Sequence, residues 1–126
     1  METGIKGYST LTVTEDLTAS SVGSGTMKVF STPSMLSLIE RTCWKSILPY
    51  LEPGQGSVGT KVELEHLAPA PMGCEVRCET ILVEVDRRRL VFEAKVHLGE
   101  TLLGRCTHER FIVNEDRFLS KVSAVK

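Results

Sequence analysis

A single long helical segment, followed by four strand-like segments, is the feature of this sequence that most restricts its fold. Apolar residues recur with helical spacing from Met35 to Leu48. Thr32 and Pro33 supply an N-cap and a first-turn proline, and Pro49 ends the segment. Strand-like runs rich in apolar and β-branched residues lie at about 8–14, 57–68, 73–85, 90–98 and 101–113. One helix with five strands predicts an α+β domain in which the helix lies against one sheet.

The hotdog fold, in which a five-stranded antiparallel sheet wraps around one long helix, is the leading candidate, because few small domains combine five strands with one central helix. The 126 residues fit a single domain over residues 1–126. Hotdog domains usually dimerise, so we expect a homodimer, with higher assemblies left open. A change of apolar phase predicts a β-bulge near Thr80, and Gly99-Glu100 predicts a two-residue hairpin.

Two segments outside these elements lack a regular pattern. Residues 15–27 are rich in Ser, Gly and Thr and are too long for a tight turn, which is typical of a functional lid. The tail from Asn114 is expected to be partly ordered at best. No second helix of comparable quality to the first is predicted.

The balance of charge argues against one large class of function. The 15 Lys and Arg residues nearly cancel the 16 Asp and Glu residues, for a net charge of -1. Nucleic-acid binders usually carry a basic excess that neutralises phosphates. No segment reaches the roughly 18 apolar residues of a membrane span, and the first residues lack the apolar centre of a signal peptide. We therefore expect a cytoplasmic protein with no nucleic-acid or membrane partner.

The four cysteines, Cys43, Cys74, Cys78 and Cys106, are expected to be reduced thiols, most of them buried. Disulfides belong mainly to exported proteins, and nothing in the sequence predicts export. Cys74 and Cys78 resemble a metal-ligand spacing, but four residues of a strand span roughly 13 Å, too far for two thiols to share one ion. No metal site is predicted.

Glu40 is the first candidate for a functional side chain, because it falls inside the apolar arc of the helix. At about 100° per residue the arc is centred near Leu36 and Cys43, and Glu40 lies close to Leu36 and Ile47. A carboxylate on a buried face is costly unless it is paired, and such groups are frequent in active sites. The alternative is a Glu at the edge of the arc that reaches solvent or pairs with an arginine.

His66 is the second candidate, since it shares the apolar face of its strand with Val58 and Leu64. A histidine in this position is more often a hydrogen-bonded core residue. Glu40 and His66 facing one layer would, however, make an acid–base pair. Thr32 is explained as the helix N-cap, although a helix N-terminus also offers free N–H groups to an anion or an oxyanion.

Two other motifs carry little weight. Gly54-x-Gly56-x-x-Gly59 matches the dinucleotide fingerprint by letter, but that fingerprint needs a strand before it and a helix after it, and the order here is reversed. The three arginines at 87–89 are interpreted as a solvated turn. The alternative is that they bind the phosphates of a coenzyme.

Longer blocks of sequence resemble the fluoroacetyl-CoA thioesterase family. The similar blocks are Val29-Phe30-Ser31-Thr32 through Glu40, Pro49-Tyr50-Leu51-Glu52-Pro53-Gly54-Gln55-Gly56-Ser57-Val58-Gly59-Thr60, His66-Leu67-Ala68-Pro69-Ala70-Pro71 and Gly104-Arg105-Cys106-Thr107-His108-Glu109-Arg110. The likeness extends from about Val29 to the C-terminal region. The Tyr50–Thr60 block and the Thr-His-Glu-Arg block are its most specific parts.

The resemblance implies a hotdog homodimer that hydrolyses short acyl-CoA thioesters at sites in the dimer interface, with no metal or other cofactor. It implies catalytic roles for Thr32, Glu40 and His66 and substrate contacts for Gly59 and Arg110. In those roles Glu40 attacks the thioester or activates a water, His66 transfers the proton, and Thr32 orients the carboxylate.

One departure from the family concerns the acyl group. The fluoroacetyl-specific member has an aromatic lid before the helix, whereas residues 16–27 of this chain contain no aromatic residue. We therefore expect a different acyl preference. The competing hypotheses are a non-catalytic hotdog dimer that binds acyl-CoA or another small molecule, and a hotdog dehydratase, which the polar residues fit poorly.

Overall fold

Residues 1–125 are described in the computed structural model of the protein, and within them five strands and three helices follow one another along the chain. The elements are β1 (Lys6–Thr12), α1 (Ala19–Val22), α2 (Thr32–Ile47), β2 (Gln55–His66), β3 (Glu75–Asp86), β4 (Arg89–Leu98), β5 (Thr101–Asn114) and α3 (Glu115–Ser123). The predicted α+β class is confirmed.

Helix α2 is the long helix expected from the sequence, but its cap is one residue earlier than predicted. The Ser34 N–H donates to Ser31 Oγ at 3.1 Å, which makes Ser31 the N-cap and Thr32 the first helical residue. The interpretation of Thr32 as the N-cap is therefore wrong. Serine and threonine both cap helices well, so the sequence alone does not decide between two neighbours. The Thr32 hydroxyl is consequently free for another partner.

The five strands form one antiparallel sheet in the order β1-β3-β4-β5-β2. Strand β2, which follows α2 directly in the chain, therefore lies at the far edge beside the last strand, β5. Gly59 lies opposite Arg110 in this pairing, and His66 lies opposite Gly104. The arrangement brings Gly59 next to Arg110, whereas His66 lies further along β2.

The hydrophobic core lies between α2 and the inner face of the sheet. The helix contributes one stripe of fully buried side chains, among them Leu38, Ile39 and Ile47, and the sheet contributes alternate residues such as Val76 and Leu82. Fully burying a side chain of this size stabilises the fold by about 1.5–3 kcal/mol. The buried stripe determines which residues of α2 lie at its border. The candidate site is found at this border.

The irregularity of β3 falls at Val83 and not near Thr80. The register with β4 shifts between Leu82 and Glu84, so Thr80 keeps its phase and is buried. The prediction near Thr80 is wrong because apolar residues also occupy the outer face, where Val83 is 39% exposed. The two-residue hairpin at Gly99-Glu100 is confirmed, and Gly99 has the positive φ of 57° that such a turn requires.

Both segments without a sequence pattern contain ordered elements. Residues 15–27 form a 3-10 turn at Glu15–Leu17 and then α1, and most of their side chains are exposed. The tail forms α3, which Asn114 caps by accepting a hydrogen bond from the Arg117 N–H at 3.0 Å. The expectation of a partly ordered tail is thus wrong. Because no residue of α3 is buried, the helix leaves little hydrophobic pattern in the sequence.

Across the described residues, no helix combines the length and the apolar character needed to cross a membrane.

Candidate active site

Thr32 and His66 form the first part of the candidate site, at the N-terminal end of α2. The Thr32 Oγ1 atom lies 2.8 Å from His66 Nδ1. Thr32 is exposed and His66 is half-buried, so the pair remains accessible to a reactant. When His66 donates its Nδ1 proton to Thr32, the Nε2 lone pair is available to accept a proton.

Glu40 forms the second part, eight residues further along α2 and therefore roughly 12 Å away along the helix axis. Its side chain is 40% exposed, and its Oε2 atom lies 3.4 Å from Arg110 Nη1. The sequence left open a pairing with an arginine, and that pairing is present. Because the Glu40 carboxylate is still partly exposed, a substrate or a water can reach it despite the pairing with Arg110.

Arg110 is a buried cation with several fixed contacts. It is 6% exposed. Its Nε donates to Ser57 Oγ at 2.9 Å, its Nη2 donates to the Ser57 carbonyl at 2.9 Å, and its Nη1 lies 3.1 Å from His108 Nε2. Burial lowers the pKa of Arg110, and the Glu40 carboxylate opposes that shift. A guanidinium nonetheless keeps its charge in proteins, so the site holds a permanent positive charge beside Glu40.

Gly59 allows these side chains to approach the backbone of β2. A Cβ at this position would lie 2.9 Å from Glu40 Oε2 and 3.1 Å from His108 Cε1. Any side chain here would therefore displace the carboxylate, the imidazole ring or both.

His108 belongs to the same group, although the sequence reasoning did not select it. It is fully buried, its Nδ1 lies 2.8 Å from the Lys61 carbonyl oxygen, and its ring stacks on Phe92 at a centroid distance of 6.4 Å. Burial lowers the pKa of His108, and the hydrogen bond to Lys61 opposes the shift. The alternation along β5 places His108 and Arg110 on the same inward face as Cys106, and that pattern could have identified it.

Within one chain the predicted residues thus form two groups. Thr32 contacts His66, whereas Glu40 contacts Arg110 beside Gly59.

A concavity of about 890 Å³ lies on the outer face of the sheet. Its lining does not include Thr32, Glu40, Gly59, His66 or Arg110, all of which the structure describes. It has charged walls formed by residues such as Glu93 and Arg105, and it is separate from the candidate site.

The cysteines are all free, and three of the four are buried. Burial raises the pKa of Cys78 to about 11 and that of Cys106 to about 11, and it also raises that of Cys43. The prediction of mostly buried thiols is confirmed. No group of three or more His, Cys, Asp or Glu among the described residues is arranged to hold a metal ion.

The arginines at 87–89 divide into an exposed turn and an ion pair. Arg87 has a side chain that is 89% exposed, which agrees with a solvated turn. Arg89 instead donates to Glu109 at 2.8 Å and also pairs with Glu84. Arg89 is therefore engaged within the sheet.

Comparison with known proteins relates this chain to thioesterases over most of its length. It matches the family described as fluoroacetyl-CoA-specific thioesterase over residues 13–116. The fluoroacetyl-CoA thioesterase of Streptantibioticus cattleyicolor is 39% identical over 95 residues, which cover 75% of this chain and 68% of that protein.

Solved structures agree with this relationship. A variant of a fluoroacetyl-CoA thioesterase in complex with acetyl-CoA superposes with a TM-score of 0.92 at 31% identity, covering 98% of this chain and 97% of that one. A hot-dog-like protein from Thermanaerovibrio acidaminovorans superposes with a TM-score of 0.89 over 97% of this chain and 90% of that one. Its identity is 22%, so this likeness bears on the fold alone. The predicted hotdog fold is confirmed.

Proposed function

Because the chain belongs to the fluoroacetyl-CoA-specific thioesterase family and is therefore an acyl-CoA thioester hydrolase, we propose that its substrates are short-chain acyl-CoA thioesters. The products are then the free acid and CoA. The observation that carries the proposal is the 2.8 Å contact between Thr32 and His66, which holds an accessible imidazole at the start of α2. The complex of a relative with acetyl-CoA supports a short acyl group.

The proposed reaction uses Glu40, His66 and Thr32. Either Glu40 or a water that gives a proton to Glu40 attacks the thioester carbonyl carbon. The carbon–sulfur bond then breaks, and the departing thiolate takes a proton from His66 Nε2, which regains it from the water that the reaction consumes. When Glu40 attacks directly, that water hydrolyses the anhydride formed between the acyl group and Glu40. Within one chain Thr32 contacts His66 and not Glu40, so we propose that Thr32 orients the His66 ring for this transfer instead of orienting the carboxylate. A thioester carbonyl is already electrophilic, so we propose that the reaction needs neither a metal nor another cofactor.

Gly59 and Arg110 are proposed to hold the acyl end of the substrate. A guanidinium has five N–H donors, and four of those on Arg110 are engaged by the contacts to Ser57, His108 and Glu40. One Nη2 donor remains for the substrate, together with the positive charge, which favours the oxyanion that develops during attack.

We propose that each complete site forms between two copies of the chain. Strand β2 is a 12-residue edge strand whose residues 59–63 are exposed, and such edges favour pairing with another strand. Antiparallel pairing of two β2 strands about a two-fold axis at Glu63 would set Thr60 of one copy opposite the partner's His66, with Gly59 beside it. The Glu40 group would then lie beside the partner's Thr32–His66 pair.

Exposed apolar side chains near this edge support the same arrangement. Val62 on β2 is 38% exposed, Trp44 on α2 is 36% exposed, and Leu48 and Tyr50 just after α2 are 53% and 57% exposed. Apolar surface of this kind is frequent at protein–protein interfaces.

We also propose that fluoroacetyl-CoA is not the preferred substrate. Residues 16–27, before α2, lack aromatic side chains, and the apolar side chains that they expose are Val22, which is 43% exposed, and Met27, which is 66% exposed. Such a lid would close over an acyl group less tightly than aromatic rings would.

The proposal is tested with a panel of acyl-CoAs from acetyl and fluoroacetyl to longer chains. Release of CoA is followed by chromatography, so that the protein thiols do not contribute. We expect turnover of short acyl-CoAs that survives dialysis against EDTA and falls by about 10²-fold or more in Glu40→Gln. Glu100→Gln, in an exposed hairpin, is the matched control and should keep full activity.

Full activity in Glu40→Gln would remove Glu40 from the mechanism. Saturable binding of acyl-CoA without any turnover would replace the proposed reaction with the non-catalytic alternative.

A further inference from the structure

His108 is buried in the candidate site, yet the proposed reaction gives it no step. Groups on four elements surround it: Phe92 on β4, the Lys61 carbonyl and Gly59 on β2, Arg110 on its own strand, and Glu40 on α2. The two charged groups among them lie close to its Nε2, with Arg110 Nη1 at 3.1 Å and Glu40 Oε2 at 3.9 Å.

We propose that His108 is a positioning residue, which accepts a hydrogen bond from Arg110 and thereby fixes the guanidinium beside Glu40. This inference rests on the proposed function, because His108 acts through Glu40 and Arg110. His108 itself touches neither the substrate nor the reacting atoms.

The hydrogen-bond polarity of the contacts determines the state of the ring. The Lys61 carbonyl only accepts, so His108 Nδ1 must carry a proton. The guanidinium of Arg110 only donates, so His108 Nε2 must be the unprotonated nitrogen. The neutral Nδ1–H tautomer satisfies both contacts, whereas a charged ring would set two donors against each other 3.1 Å apart. Burial and the Arg110 charge both lower the pKa of His108, which agrees with a neutral ring.

The contacts also explain why positioning is needed. Ser57 holds the Nε and Nη2 side of Arg110, and His108 holds Nη1, so the planar guanidinium is fixed along two of its edges. Without His108, Nη1 would keep only the 3.4 Å contact to the half-exposed Glu40. The guanidinium could then rotate about its Ser57 contacts, and the Glu40 carboxylate would move with it.

Two amide substitutions separate positioning from simple packing. In His108→Gln the side-chain oxygen reaches about as far as Nε2 and can still accept from Arg110. In His108→Asn the amide reaches only as far as Nδ1, where it can bond Lys61 but not Arg110. Both variants lose the aromatic ring over Phe92, so loss of packing alone would affect them similarly.

We expect His108→Asn to lower kcat by about tenfold to hundredfold with a small change in KM, the effect of losing one buried hydrogen bond to a charged group. His108→Gln should keep most of kcat. In an Arg110→Met background, His108→Asn should have little further effect. Equal losses in the two amide variants, or losses that add fully in the double variant, would overturn the proposal.

A ring measurement tests His108 without turnover. Nitrogen NMR of the full-length protein should show the His108 ring as the neutral Nδ1–H tautomer through the neutral pH range. An Nε2–H tautomer, or a ring that takes up a proton near pH 6.5, would contradict the proposal. If the wild-type protein shows no thioesterase activity but its His108 ring is the neutral Nδ1–H tautomer, the proposed function is refuted. The hydrogen-bond geometry inferred for His108 then still holds.

Discussion

Thr32 and His66 lie 2.8 Å apart and join the first residue of α2 to the last residue of β2. The contact exists because Ser31 takes the capping position and frees the Thr32 hydroxyl. Two neighbouring hydroxyl residues therefore have different partners, one structural and one in the candidate site. The effects of removing the Ser31 hydroxyl and the Thr32 hydroxyl can therefore be distinguished by mutation.

Ser31→Ala is expected to lower stability, and Thr32→Ala to lower activity. Loss of the Ser31 cap should cost about 1 kcal/mol of folding free energy and leave kcat nearly unchanged. Loss of the Thr32 hydroxyl should lower kcat by about tenfold or more with little change in stability, and Thr32→Ser should restore it. Denaturant unfolding and steady-state kinetics on the same preparations distinguish the two effects. A Thr32→Ala protein that is unstable but fully active would contradict this assignment.

Gly59→Ala is expected to damage the site through its geometry. The new methyl group would lie 2.9 Å from Glu40 Oε2 and 3.1 Å from His108 Cε1, so both groups must shift. We expect a loss of about 1–3 kcal/mol in stability and at least a tenfold lower kcat/KM. Gly25→Ala, where the new methyl would meet only Ala19 Cβ at 3.3 Å, is the control. Equal kinetics in the two variants would argue against a close approach at Gly59.

Stability is expected to depend on pH through His108. Burial lowers its pKa in the folded protein, so below about pH 6.5 the unfolded chain binds the proton more readily than the folded chain does. The stabilisation from the neutral ring is fully present above about pH 6.5 and is lost as the pH falls towards the folded pKa. Urea unfolding between about pH 8 and pH 5 should show a steeper fall for wild type than for His108→Gln. Parallel pH profiles would rule His108 out as the cause.

Two inactive variants are expected to restore activity when they are combined. If each site takes Glu40 from one copy and His66 from the other, a mixed dimer of Glu40→Ala and His66→Ala contains one intact site and one doubly damaged site. Refolding the two variants together from denaturant should recover activity that neither shows alone. Recovery should be absent when Glu40→Ala is mixed with Gly59→Ala, because both changes damage the same group. No recovery in the first mixture would place the whole site within one copy.

Much of the fold could be predicted because its hydrophobic periods are regular. The helix stripe and the alternating strands are visible wherever one face is buried, which is why α2 and all five strands were found. The pattern failed where burial does not dictate residue type. Val83 is apolar although it lies on the outer face, so the sequence of β3 predicts a bulge near Thr80 instead of at Val83. Helix α3 has no buried residue, so no apolar stripe predicts it.

The candidate site was partly predictable for the same reason. Glu40 and His66 stood out because they are polar residues on apolar faces. The neighbours of Glu40 did not follow from periodicity, because they come from a strand some 70 residues away and depend on the β2–β5 register. His108 in particular looks like one of several polar residues in β5 until the inward face of that strand is known.

The strand order determines when the contacts of β2 can form during synthesis of the chain. Strand β2 leaves the ribosome soon after α2, but its partner β5 is synthesised about forty residues later. Until then β2 has no neighbour, and the group formed by Glu40, Gly59 and Arg110 does not exist. Contacts between distant parts of a chain also form slowly. A nascent or truncated chain that ends before Thr101 would therefore carry α2 and the three paired strands β1, β3 and β4, yet would leave β2 unpaired and open to aggregation.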